Sequence, residues 1–366
     1  MKTQIVKIKH LAVMIGIALA GVGGSGTLTP ANALTFNFTP ANGMSQQAID
    51  GFTSAGNLWS SLFTDNVTVN IDINFTNLGA GTLASAGSTA YFFNYQSVYN
   101  ALDRDRTTAD DNRAVSSLTN GSTYKRLLNH SSDNSVSGSL TPELFNSGDM
   151  IINSANAKAL GLSNNLGADA DISFNSGGGY VWDFDNSNGI DSGTYDFIGI
   201  AAHEIGHALG FVSRVDDIAR IVDTAKNGSA TTLDLFRYST ASTTQGAIDT
   251  TVGGSDKYFS LDRGVTSIAS FSTGIGFGGD DRQASHWKDN LGLGIMDPTS
   301  APGEFLKITN NDVQALDVIG WNRVNTTATA VPEPADFVGT AIGAIFGLKL
   351  IQKRRQQQAK STTKAI

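Results

Sequence analysis

An apolar segment that ends in two histidines constrains the fold of this chain more than any other part of its sequence. Residues 197–202 read Phe-Ile-Gly-Ile-Ala-Ala, and His-Glu-Ile-Gly-His follows at 203–207. The apolar run is typical of a buried helix. Side chains four residues apart lie on the same face of a helix, so His203 and His207 are expected to project side by side.

Two imidazole nitrogens at this spacing can bind one tetrahedral zinc ion at about 2.0–2.1 Å. Glu204 follows the first histidine directly, where a carboxylate can act as the general base on a zinc-activated water. The alternative is a helix with two surface histidines and no metal. The apolar flanks, and the continuation Ala-Leu-Gly-Phe at 208–211, favour the zinc interpretation.

Two further motifs lie near the end of the central region. His286 stands between Ser285 and Trp287, and Met296 follows ten residues later within Gly-Ile-Met-Asp-Pro. Thr309-Asn-Asn-Asp312 then resembles a capping box with Asp in place of Glu, and it predicts a helix that runs to Gly320-Trp321.

Together these motifs resemble the metzincin zinc metalloproteases, specifically the leishmanolysin type and a bacterial group of metalloproteases with a PEP-CTERM ending. The resemblance rests on residues 196–211 and 284–321. It implies an α+β fold with a twisted mixed sheet and the zinc helix in an N-terminal subdomain. The Met-turn and a C-terminal helix would form a second subdomain, with the zinc cleft between the two.

The same resemblance implies roles for individual residues. Gly210 would turn the chain out of the helix, and Met296 would support the zinc site from below. His203, His207 and His286 would be the metal ligands, with residues 212–283 as a family-type insertion before the third. We expect an insertion this long to fold as a unit of its own, with apolar contacts from residues 233–236 and 258–259.

The identity of the third ligand has two competitors. Ser213 occupies the position of the third ligand in the short form of the motif, and serine is a poor zinc ligand. Asp216 is close in sequence, but it lies three residues too late, and with Asp217 it is expected to cap a new helix. The resemblance, which implies a third histidine shortly before the Met-turn, makes His286 the predicted ligand.

Composition excludes several classes of site. The chain has 366 residues and no cysteine, which excludes disulfides, cysteine-based zinc sites, iron–sulfur clusters and thiol nucleophiles. Residues 1–33 and 335–366 hold nine of the 25 Lys and Arg residues and one of the 33 acids. The remaining 34–334 carry 16 basic and 32 acidic residues, so nucleic acid is not an expected partner.

The N-terminal residues have the order of a secretory signal. Three lysines precede an apolar run at 11–22, and Ala31-Asn-Ala33 places small residues before the predicted cleavage site. We interpret 1–33 as a signal peptide and Leu34 as the mature N-terminus. The alternative is a membrane anchor, for which twelve apolar residues are short against a span of about 20.

The C-terminal residues resemble a PEP-CTERM sorting signal. A polar linker at 325–330 precedes Val-Pro-Glu-Pro at 331–334, an apolar stretch at 337–348 and a basic cluster that ends at Arg355. The resemblance assigns 331–355 to the signal and 356–366 to a polar tail. It implies transient membrane contact, cleavage by an exosortase and release toward the cell surface. A plain C-terminal anchor is the alternative.

The central body 34–324 is predicted to be one catalytic domain. Apolar spacing predicts helices at 45–63 and 97–104, and alternation predicts strands at 67–75 and 171–174, whereas 153–160 is ambiguous. The Asp- and Asn-rich loop at 183–191 suggests a calcium site. Asn188 and Thr194 stand where an EF-hand needs Gly and an acid, so a polar turn is the alternative. His130 has no ligand partner and is expected on the surface or in a loop.

The sequence therefore predicts an exported zinc endopeptidase that acts on an extended peptide or protein substrate, with an upstream sheet supplying an edge strand for that substrate. Two alternatives remain. One is a non-catalytic surface or biofilm matrix protein that keeps the fold. The other is a zinc hydrolase of a different amide, such as peptidoglycan.

Overall fold

A mixed four-stranded sheet and a long helix position the second long helix, which carries His203 and His207. The computed structural model describes residues 34–130, 141–220, 228–254, 256–276 and 278–324. The predicted signal peptide, linker, sorting signal and polar tail lie outside these residues. By its internal contacts, the chain from Leu34 to Val324 belongs to one unit.

The helices include those that the sequence predicts. Their bounds are α1 Gln46–Ser60, α2 Tyr95–Arg104, α3 Ala109–Ser117, α4 Ser154–Ala159, α5 Phe197–Leu209, α6 Val215–Arg220, α7 Thr240–Thr244 and α8 Asn310–Val318, with a 3-10 turn at Leu233–Phe236. The helix predictions at 45–63 and 97–104 are confirmed, and the ambiguous segment 153–160 contains α4. Thr309 caps α8 through the predicted capping box with Asp312.

The strands form several small sheets around one larger sheet. Their bounds are β1 Thr35–Pro40, β2 Thr68–Thr76, β3 Ala84–Ser88, β4 Ala90–Asn94, β5 Tyr124–His130, β6 Thr141–Ser147, β7 Asp149–Asn153, β8 Ala170–Asn175, β9 Trp182–Asp183, β10 Tyr195–Asp196, β11 Arg237–Tyr238, β12 Ile248–Asp249, β13 Tyr258–Phe259 and β14 Ala269–Ser270. The mixture of helices and open sheets confirms the α+β class.

The larger sheet has the order β1-β2-β8-β3. β1, β2 and β8 run parallel, and β3 pairs antiparallel with β8 at the edge. The alternation predicted for β2 is confirmed, because Val69, Ile71 and Ile73 are buried while the residues between them are more exposed. The sheet is therefore mixed, as predicted, and its antiparallel edge strand follows β2 in sequence.

Aromatic rings join this sheet to α1 and α5. Phe52 of α1 meets Phe197 of α5 edge-on at 5.4 Å between ring centroids, and Phe174 of β8 lies 4.3 Å from Phe197. The indole Nε1 of Trp59 donates to the carbonyl of Ala202 at 2.8 Å. These contacts fix the position of α5 along its axis and its rotation about that axis relative to the sheet.

The segment 212–283 differs from its expectation. Leu233, Leu235, Phe236 and Phe259 are fully buried, as predicted, but they belong to the same contiguous apolar core as α5 and the main sheet. A smaller cluster of Val215, Val252 and Ala284 lies beside it. The segment therefore shares the main core, because burying its aromatic side chains there removes them from water without a second core.

In the described ranges, no helix has the length and apolarity needed to cross a membrane.

We predict that Trp321→Phe lowers the free energy of unfolding by about 2–3 kcal/mol. The Trp321 indole is fully buried and donates to the carbonyl of Leu209 at 2.8 Å, and carbonyls in the last turn of a helix lack helical donors. Urea denaturation of the purified protein measures the loss. Trp182→Phe, at a half-buried site, is the matched control and should cost less; equal costs would contradict this role for Trp321.

Candidate metal centre

The histidine helix α5 begins at a buried cap. Asp196 is the N-cap residue, and its carboxylate accepts a hydrogen bond from the backbone N–H of Gly199 at 2.8 Å. The same carboxylate accepts from the backbone N–H of Leu306 at 3.1 Å. Every residue of α5 except His203 and His207 is buried. The helix is therefore a core element, and its two histidines, which are only partly exposed, line the cleft.

The structure brings His203, His207 and His286 together, and we call these residues the histidine cluster. Their Nε2 atoms are separated by 3.1 Å between His203 and His207, 3.2 Å between His207 and His286, and 3.3 Å between His286 and His203. Among the residues that the structure describes, no other group of three or more His, Cys, Asp or Glu side chains is close enough to share a metal ion.

Each imidazole is oriented by a main-chain carbonyl. The Nδ1 atom of His203 lies 2.7 Å from the carbonyl oxygen of Ile295, and that of His207 lies 2.7 Å from Phe211 O. Nδ1 of His286 lies 3.2 Å from Gln283 O. Because a carbonyl oxygen only accepts, each Nδ1 carries the proton and each Nε2 lone pair is free for a metal.

Burial favours the neutral form of these rings. It lowers the pKa of His203 to about 4 and that of His207 to about 3, and it holds the pKa of His286 well below its usual range. The proximity of the other imidazoles lowers the pKa of His207 and His286 further. Neutral imidazole is the form that binds a metal, so the cluster needs no proton loss near neutral pH.

A left-handed residue supplies the carbonyl that orients His207. Gly210 has φ of 118°, and the backbone N–H of Phe211 then donates back to Gly206 O at 3.0 Å. This turn carries the carbonyl of Phe211 back to the His207 ring. A side chain at Gly210 would be strained and would also meet Asn156 at 3.0 Å. The predicted turn at Gly210 is therefore present, and it also serves the second histidine.

Met296 lies beneath α5 and packs against Gly206. It is fully buried in the turn 294–298, and a Cβ atom at Gly206 would lie 2.5 Å from its sulfur. The absence of a side chain at Gly206 therefore lets Met296 pack directly against α5. The backbone N–H of Trp287 donates to Met296 O at 2.9 Å, which connects the turn to the segment that carries His286.

Glu204 lies between the histidine cluster and the edge strand β3. Its side chain is buried, and the nearby backbone N–H of Ala86 in β3 favours its charged form. Burial raises the pKa of this carboxyl to about 8. Glu204, His203, His207 and His286 all line one cleft of about 740 Å³, together with residues 81–86 that lead into and form β3.

The two competitors for the third ligand have other partners. Ser213 Oγ donates to the buried Asp234 at 2.6 Å. Asp216 lies in the first turn of α6, and its carboxylate accepts from the backbone N–H groups of Ile275 at 2.7 Å and Ala284 at 2.8 Å. Asp216 thus holds the segment that precedes His286, and it is not a member of the histidine cluster.

The loop at 183–191 uses its carboxylates for its own backbone. Asp183 accepts from the N–H of Asp185 at 3.0 Å and from that of Asp191 at 2.9 Å, and Asp185 accepts from the N–H of Ser187 at 3.1 Å. These bonds are those of the polar turn that was the alternative to a calcium site. Calcium binding stays a prediction. The backbone of His130 ends strand β5.

Sequence reasoning missed the strand beside the site. The segment 81–88 reads Gly-Thr-Leu-Ala-Ser-Ala-Gly-Ser, which has no alternation and few β-branched residues, so nothing in it predicts a strand. Its contribution to the site comes from the backbone N–H of Ala86 and from its edge position. The role of Asp216 was missed too, since bonds to distant backbone N–H groups leave no local signal.

Comparison of this chain with models of protein families, with curated proteins and with solved structures finds no significant match.

Proposed function

We propose that this protein is an exported zinc-dependent endopeptidase of the metzincin type. The observation that carries the proposal is the meeting of three imidazole Nε2 atoms beside a buried glutamate, in a cleft bordered by the edge strand β3. Three neutral nitrogen donors with a fourth position left open are typical of catalytic zinc sites.

The donor set fits zinc in its spacing as well as in its chemistry. Tetrahedral zinc with bonds of about 2.0–2.1 Å separates neighbouring ligand atoms by about 3.3 Å. The Nε2 separations of 3.1–3.3 Å in the histidine cluster agree with this value. His203, His207 and His286 would hold the ion, and their carbonyl partners would keep the rings in the ligating orientation.

When bound, zinc supplies a Lewis acid that polarises the scissile carbonyl and lowers the pKa of water. Burial alone raises the pKa of Glu204, but a divalent cation held by the neighbouring histidines would favour its carboxylate form. Glu204 would then act as the general base, taking a proton from the attacking water and passing it to the leaving amine. Its carboxylate lies beside the N–H of Ala86 and is shielded from bulk water by burial. Proton transfer therefore starts from a fixed position beside the histidines.

The edge strand β3 would bind the substrate as an added strand. Within the described part of the chain, β3 pairs with β8 along one side only, so its other side presents main-chain groups to the cleft. An extended peptide can pair with such an edge through its own main chain, which gives affinity without demanding particular side chains. This arrangement favours peptides and unfolded protein segments over a branched peptidoglycan amide as the substrate.

We predict that Glu204→Gln keeps the metal and lowers kcat for peptide hydrolysis by at least about 100-fold. Gln has the size and shape of Glu, so the packing of this buried side chain is preserved while the base is lost. Zinc content and casein hydrolysis, each with and without a chelator, are measured on both proteins.

Loss of zinc from the Glu204→Gln variant, or activity equal to wild type, would contradict the role of Glu204. Wild-type protein that binds zinc and hydrolyses neither casein nor peptides would instead support the non-catalytic matrix alternative.

We predict that His286→Ala abolishes stoichiometric zinc binding, whereas Asp216→Ala still binds one zinc. The reason is that His286 places Nε2 within 3.3 Å of the other two ligands, while the carboxylate of Asp216 bonds to backbone N–H groups. Metal content after dialysis decides between them. A site emptied by Asp216→Ala and retained in His286→Ala would refute the ligand assignment and with it the leishmanolysin-type resemblance.

We also predict two processing events, one after Ala33 and one near Pro334. The basic, apolar and small-residue order of 1–33 is that of a cleaved signal, and 331–355 resembles a sorting signal cut by an exosortase. Intact mass of the protein recovered from the surface of its native host measures both ends. A mature species that still contains Arg354 and Arg355 would favour a permanent anchor over sorting.

A further inference from the structure

A buried carboxylate on α8 bonds to the turn that carries Met296. Asp312 is fully buried, and it accepts from the backbone N–H of Ile295 at 2.9 Å, the backbone N–H of Met296 at 3.3 Å and the indole Nε1 of Trp287 at 2.8 Å. It also accepts from the backbone N–H of Thr309 at 2.7 Å. Four N–H donors therefore satisfy this buried group, as its burial requires.

The capping role predicted from sequence accounts for only part of this arrangement. The bonds with Thr309 form the capping box at the start of α8. The bonds with Trp287, Ile295 and Met296 reach across 16 to 25 residues of sequence and add nothing to the cap. Their effect falls on the two segments that meet at the histidine cluster.

One of these bonds leads to His203 through a single residue. The N–H of Ile295 donates to Asp312, and the carbonyl of Ile295 accepts from Nδ1 of His203 at 2.7 Å. The position of that carbonyl sets the orientation of the imidazole. A displacement of Ile295 would therefore rotate His203 away from the other two rings.

A second bond leads to His286 through its neighbour. The Trp287 indole is fully buried and donates to Asp312, and the backbone N–H of Trp287 donates to Met296 O. Both the side chain and the main chain of residue 287 are thus held relative to the turn. His286 is the residue before Trp287, so the position of its imidazole depends on these two bonds.

We propose that Asp312 is a positioning residue for the metal centre, which sets zinc affinity by fixing His203 and His286 at once. The inference rests on the proposed function, because it concerns how this chain holds the ion. Outer partners of metal ligands commonly change metal affinity by 10- to 100-fold when they are replaced. Here one carboxylate acts on two ligands that lie 83 residues apart in sequence.

The same helix offers a matched control. Asp317 is also a buried carboxylate of α8, and burial raises the pKa of both groups. Asp317 accepts from the hydroxyl of Thr108 at 2.8 Å and pairs with Arg323 at 3.5 Å. Asp312→Asn and Asp317→Asn therefore make the same chemical change at buried sites of one helix, but only the first disturbs the turn.

The experiment compares zinc dissociation constants, measured by chelator competition, with the unfolding of the metal-free full-length protein. In Asp312→Asn an amide NH₂ group replaces one carboxylate oxygen, and it faces N–H groups from which it cannot accept. The Kd of this variant for zinc should therefore rise at least about tenfold. Asp317→Asn should lose stability but keep the wild-type Kd. The visible absorption of the Co²⁺-loaded protein, which reports ligand geometry, should change in Asp312→Asn alone.

Two results would overturn the inference. One is a wild-type Kd and Co²⁺ spectrum in folded Asp312→Asn. The other is an equal rise in Kd for both variants, which would make the effect one of general stability. Failure of the proposed function is distinguishable, because in that case the wild-type protein itself would bind no zinc or, with zinc bound, would hydrolyse no peptide.

Discussion

The histidine cluster depends on three hydrogen bonds, in each of which a main-chain carbonyl oxygen accepts from the Nδ1 atom of one imidazole. The cluster needs every Nε2 lone pair to face the same point, and it gets this because Ile295, Phe211 and Gln283 each accept from an Nδ1 atom. Imidazole rings packed this closely repel one another when charged, and burial keeps them neutral. The surrounding fold can be understood as the means of placing these carbonyls.

Each carbonyl is placed by a different device. Phe211 returns to the helix because Gly210 is left-handed. The peptide unit between Gln283 and Ala284 accepts from His286 on one side and donates to Asp216 on the other. The peptide unit between Ile295 and Met296 likewise accepts from His203 through its carbonyl and donates to Asp312 through its N–H at 3.3 Å. Two of the three imidazoles are thus connected to a carboxylate through one peptide group, which transmits position without placing negative charge on the ring itself.

The sequence predicted which histidines meet at the site better than it predicted the elements that hold them. His203, Glu204 and His207 are recognisable because helical periodicity is local, and α1 and β2 are recognisable from their apolar spacing. His286 and Met296 were found only through a family resemblance, since no local rule connects them to α5. The strand β3 and the role of Asp216 escaped prediction because both act through backbone groups. Such contacts depend on which segments meet, and a single sequence does not contain that information.

Residues 306–321 support the site although they contain no histidine. Leu306 bonds to the cap of α5, Trp321 bonds to the last turn of α5, and Asp312 holds the turn beneath its middle. The helix is therefore fastened along its whole length by residues about 100 positions downstream. Local sequence can specify that α5 is a helix with two histidines on one face. Only the completed chain can hold that face against His286, so order at this centre arises with the tertiary fold.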